Sequence, residues 1–143
     1  MTAPLASPVV PVSWGELLDK ITILEIKRAR ITRPDALANV EQEHRLLASA
    51  AAPALARADL QPLLADLRAV NEALWDIEDA IREEEAAQRF GSDFIRLARS
   101  VYQRNDERAA TKRRINLLLG SELVEEKSYA SAAGPPGLNA PAA

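Results

Sequence analysis

Asn71 and Glu78 stand seven residues apart inside a helical stripe that has no packing use for either. Leu60, Leu63, Leu67, Val70, Leu74, Ile77 and Ile81 recur at steps of three and four, the spacing of a helix face turned toward a partner helix. The same reading on a helical wheel puts Glu25 and Arg28 among Leu17, Leu18, Ile21, Leu24 and Ile31 of an upstream helix. On a downstream helix it puts Asn105, Arg108 and Lys112 among Phe94, Leu97, Val101, Ala109, Ile115 and Leu119, with Tyr102 at the edge. Burying such groups unpaired is costly, so they are expected to find one another. Folding the two long helices about Gln88 brings Asn71 and Glu72 level with Asn105, and a third helix entering the same end brings Glu25 and Arg28 level with Glu78. The expectation is a mid-bundle polar layer of Glu25, Arg28, Asn71, Glu72, Glu78, Asn105 and Arg108, with Tyr102 beside it. Such a layer is either a ligand or catalytic site between helices or an ion-pair network that fixes helix register.

Other chemistries find fewer groups to work with. There is no cysteine, which removes disulfides, thiol catalysis and thiolate metal sites. His44 is the only histidine and lies on an apolar stripe. Glu41-x-x-His44 has carboxylate–histidine metal spacing, but a di-iron bundle needs two such pairs, so no metal and no cofactor are assigned. Gly-rich phosphate loops and Ser-His-Asp sets are absent. Two all-α enzyme solutions merit comparison. In chorismate mutases of that type, basic side chains hold a dianion between helices, to which Lys20, Lys27, Arg28 and Arg108 would correspond. Magnesium-dependent nucleotide pyrophosphohydrolases use acidic pairs on neighbouring helices; Glu72, Asp76 and Asp79 supply one set, without a complementing Glu-x-x-Glu on another long helix.

These residues need a scaffold, and the composition favours helix. The 143 residues suit one domain, with 48% apolar and 4% aromatic residues for an aliphatic core. Residues 1–12 read as an extended lead-in and 13–129 as the helical domain. The Ala-, Pro- and Gly-rich 130–143 read as a disordered tail. Ser13 and Glu16 have capping-box spacing ahead of a first helix, Trp14 to Ile31. A turn at Pro34 precedes a second helix from Asp35 to Ala51, which Pro53 is expected to break. Asp59 is a candidate N-cap for a third helix ending near Glu85. A fourth runs from Asp93 to Leu119, with Gly120 suited to a left-handed cap. The first helix is apolar nearly all round and should be the most enclosed. The fold class expected is all-α: an antiparallel four-helix bundle built on a long helical hairpin, with flexible termini.

The stretches Gly15–Lys27, Val70–Asp79, Leu97–Asp106 and Gly120–Tyr129 resemble, in order, those of a bacterial family of small helical proteins catalogued only as a domain of unknown function. The resemblance spans about residues 12–129. It includes Glu25, Asn71, Glu72, Glu78, Tyr102 and Asn105, and also Glu125, Glu126, Lys127 and Tyr129 on a segment that would fold back over the bundle. It implies no catalytic roles. Related segments beside tetratricopeptide repeats or sugar-transfer domains imply a surface-polysaccharide or glycosyl-transfer context.

A net charge of −3 argues against nucleic acid as partner. No apolar run is long enough for a membrane span, and no secretory signal is visible, so a cytoplasmic location is expected. The function expected is a non-enzymatic interaction or accessory module with a protein partner or self-association. The alternative is a small all-α enzyme or metabolite binder that uses the polar layer.

Overall fold

The computed structural model describes residues 2–129, so the tail at 130–143 lies outside the described residues. Four α-helices follow one another: α1 (Trp14–Arg30), α2 (Pro34–Leu55), α3 (Gln61–Ala86) and α4 (Ser92–Leu118). The fold is all-α with the four helices in mutual contact, and no strand occurs among the described residues. α3 and α4 form the long hairpin. α1 is the hub: it packs on α2 along one side and on both hairpin helices along the other. Its burial all round follows from its sequence, with Leu18, Ile21, Leu24 and Ile26 each no more than 5% exposed. Leu18 and Ile21 join Ala51 and Ala54 of α2, Leu60, Leu64, Leu67 and Val70 of the α3 region and Ile115 of α4 in one core. No helix of the described residues is long and apolar enough to cross a membrane.

Several ends differ from expectation for local reasons. α2 does not stop at Ala51; it carries Pro53 in its last turn and runs to Leu55. Proline removes a single backbone donor there, and the burial of Ala51 and Ala54 against the core holds the turn. Asp59 does not cap α3. It sits in a short 3₁₀ turn, Ala58–Leu60, and its carboxylate takes both forks of Arg57 at 3.0 and 2.6 Å. The capping box is half made: Ser13 Oγ accepts from Glu16 N at 3.1 Å, while the Glu16 carboxylate turns away to Lys112.

Both hairpin helices end in a left-handed residue. Gly120, φ +62°, follows α4, and Ser121 N donates back to Asn116 O at 2.8 Å. After α3 the same position is Gln88, φ +56°, with Arg89 N donating to Glu84 O at 2.9 Å. A side chain at positive φ costs roughly 1 kcal/mol that glycine does not incur. Gln88→Gly is therefore expected to stabilise the protein by about 0.5–1 kcal/mol, a rise of a few degrees in a thermal melt. A lower melting temperature would contradict this reading of the turn.

The hairpin outreaches its cover. The buried residues of α3 all lie between Leu64 and Leu74, and those of α4 between Thr111 and Asn116. α1 ends at Arg30, whose guanidinium pairs with Asp76 and lies 5.8 Å from the Trp75 ring centroid. Beyond that level α3 and α4 continue as a two-helix arm.

Candidate functional site

The best-enclosed polar cluster joins α1, α3 and α4. Asn71 is 4% exposed; its Nδ2 donates to Asp19 Oδ1 at 2.8 Å and to Thr22 Oγ1 at 2.9 Å. Thr22 in turn donates to Asp19 O at 2.8 Å, a back-bond along its own helix. The other oxygen of Asp19 faces Lys112 Nζ at 3.9 Å, and Lys112 also meets Glu16 at 2.7 Å and Glu125 at 3.4 Å. Burial pulls the Lys112 ammonium toward neutrality, but its carboxylate neighbours outweigh burial and hold its pKa above the usual lysine range. Asn71 Oδ1 accepts from Arg108 at 3.4 Å, so the cluster reaches the half-buried Arg108 guanidinium. Every buried side-chain nitrogen and oxygen among the described residues has a partner.

A backbone contact locks the helices beside this cluster. Gly15 N donates to the buried Asn116 Oδ1 at 2.7 Å. A Cβ on Gly15 would lie 2.6 Å from Lys112 O and 2.9 Å from Asn116 Oδ1, so α1 and α4 approach as closely as they do only because residue 15 has no side chain.

The eight residues expected in one layer fall into separate groups. Asn71 and Arg108 are joined as described. Tyr102 and Asn105 line a groove on α4 together with Arg108. Glu25 and Arg28 are on the other side of α1: Glu25 pairs with Arg68, and Arg28 pairs with Glu41 at 3.6 Å. His44 sits between them, its Nδ1 3.4 Å from Arg28 and its Nε2 3.8 Å from Glu25. Glu72 borders this second cluster with Arg30 and Arg68. Glu78 is brought to none of these groups; it pairs with Arg82 one turn along α3, on the arm. The cations compared with an all-α mutase are dispersed, Arg28 lying at Glu41 and Arg108 at Asn71. Among the described residues no group of three or more histidine or acidic side chains gathers as a metal site, and Asp76 is taken by Arg30.

Asp19, Thr22 and Gly15 were not among the expected site residues. Asp19 and Thr22 lie on a helix that is apolar on both sides, where a wheel does not tell which polar residue is enclosed. Gly15 left a signal, a glycine in the first turn of a capped helix, where alanine would otherwise be favoured.

The segment after α4 folds back over it. Ser121 Oγ accepts from Trp14 N at 3.2 Å, Glu125 meets Lys112, and Glu126 meets Arg113 at 2.9 Å. This strap, residues 121–129, brings Lys127 and Tyr129 opposite Tyr102, Asn105 and Arg108. A model of a family of unknown function matches residues 9–141. The chain belongs to this family, DUF6165. No curated protein and no solved structure matches this DUF6165 chain.

The strap contact is pH-sensitive. The Lys112 charge chiefly holds the Glu125 pKa below the usual carboxylate range. A depressed folded pKa contributes stability above the unfolded value, near 4.5, and loses it as the pH falls through the lower folded value. The Tyr129 ring resonances are therefore expected to hold their shifts from pH 7 to about 5 and to move toward random-coil positions as the pH falls below the usual carboxylate range. An invariant spectrum across that range would show that the ion pair does not hold the strap.

Proposed function

We propose that this DUF6165 protein is a non-enzymatic helical interaction module whose partner is a second copy of itself, docked arm to arm. The observation that carries the reading is the hairpin arm. Ile77, Ile81, Phe94, Leu97 and Val101 are only half-buried there, and Phe90 and Ile95 are 49% and 55% exposed. A two-helix hairpin covers only part of its own apolar seam, and an uncovered seam of this length is characteristic of association surfaces.

Charge selects the occupant. Beyond Asp76 the α3 side of the arm carries Glu78, Asp79, Glu83, Glu84 and Glu85 against Arg82, whereas the α4 side carries Arg96 and Arg99 against Asp93. Two copies related by a two-fold axis across the arm can set α3 of each against α4 of the other. The acidic and basic sides then meet twice in one self-complementary contact. The result is a four-helix bundle that buries both apolar seams.

Sedimentation equilibrium tests this. The wild-type protein is expected at twice the 15.6 kDa chain mass, and Ile95→Glu, which changes an exposed side chain, at the chain mass with an unchanged thermal melt. A wild-type monomer, or an Ile95→Glu variant that still dimerises, would overturn the proposal.

A further inference from the structure

We infer that the groove between α4 and the strap binds a small ligand that joins a flat ring to a phosphate, the class of the nucleoside monophosphates. The groove is formed within one chain and shares only Val101 with the arm seam. Its volume of about 510 Å³ is in the range of small-molecule sites. Tyr102, Asn105, Asp106 and Arg108 line it from α4, and Lys127 and Tyr129 from the strap.

Arg108 is the strongest indication. Its guanidinium is half-buried, yet among the described residues no carboxylate oxygen lies within 4.0 Å of it. Its hydrogen bond is the long one to Asn71 Oδ1, at 3.4 Å. A guanidinium drawn partly out of water retains donors in a planar fork, the arrangement that matches a phosphate. The contact with Asn71 also links it to the buried Asp19–Thr22–Asn71 cluster.

The remaining lining fits the rest of the ligand. Lys127 adds a second cation, with Nζ 3.5 Å from Glu125 and 5.7 Å from the Tyr129 ring centroid. Tyr102 and Tyr129 line the groove with rings of the kind on which a base can stack. Asn105 provides one amide donor pair and one acceptor for a ring edge. Asp106 lines the groove as well and opposes a highly charged anion, which favours a monophosphate over a triphosphate.

Isothermal titration calorimetry of the full chain with adenosine and uridine 5′-monophosphates, adenosine and inorganic phosphate tests this. At least one monophosphate is expected to bind in the micromolar to low-millimolar range, at least about tenfold tighter than adenosine or phosphate alone. Arg108→Gln is expected to weaken it by about tenfold or more. Lys127→Gln, on the strap and outside the helical core, is expected to weaken it several-fold even if Arg108→Gln does not fold. The inference fails if neither monophosphate binds, if adenosine or phosphate alone binds as tightly, or if both folded variants bind like the wild type.

Discussion

Lys112→Met is expected to melt about 10 °C below the wild-type protein, a loss of roughly 3 kcal/mol. Lys112 and Asp19 side chains are only 12% and 8% exposed, and among the described residues the ammonium is the one cation facing that carboxylate within 4.0 Å. Methionine keeps the side-chain length and removes the charge. Asp19 would keep its bond from Asn71 but lose its compensating charge inside the bundle, and breaking a buried pair from one side commonly costs 3–5 kcal/mol. The lower end applies because the Glu16 carboxylate is 35% exposed and can turn to water once its partner is gone. Adding Asp19→Asn removes the stranded charge. The double variant is therefore expected to recover about 1–2 kcal/mol relative to additivity, which chemical denaturation of the four proteins would measure. Strict additivity would mean that the two groups do not interact.

Gly15→Ala is expected to cost about 2 kcal/mol, against the usual preference of helices for alanine. Two effects compete. Alanine gains up to about 1 kcal/mol of helix propensity. Its Cβ, however, would meet a backbone oxygen at 2.6 Å, and that carbonyl belongs to α4 and cannot rotate away. Relief requires α1 and α4 to separate, which lengthens the Gly15–Asn116 bond and loosens Lys112 from Glu16 and Asp19. Overpacking of this kind costs about 1–3 kcal/mol, to which a weakened buried hydrogen bond adds about 1. A melting temperature equal to or above that of the wild type would contradict so close a helix approach.

Periodicity located the helices and their inward faces because burial is what it records. Leu67, Val70 and Leu74 are buried as their spacing requires, and Asn71 was legible as a polar residue within that stripe. Glu78 lies on the same arc but remains on the arm. A wheel gives the direction of a side chain, not how far the neighbouring helix extends, and α1 ends at Arg30, beside Asp76. Asp19 escaped notice for the converse reason. On a helix contacted from several sides, the facing partner decides which polar residue is enclosed, and that partner, Lys112, is 93 positions away. The strap has no helical period to betray it; Glu125, Glu126, Lys127 and Tyr129 stood out only through the family resemblance.

The absence of cysteine permits a direct test of arm-to-arm association, since Ala87→Cys places a single nitroxide at the exposed hairpin tip. Each arm extends about 15 Å beyond α1, so fully overlapped antiparallel arms would hold the two tips about 15 Å apart along the axis and roughly 20 Å apart once the ~10 Å spacing between packed helices is added. Pulsed dipolar spectroscopy at about 100 µM, above the dissociation constant of an ordinary specific interface, is expected to give one distance near that value, lost in Ile95→Glu. No dipolar coupling in the otherwise wild-type chain would contradict the arm as the surface of association.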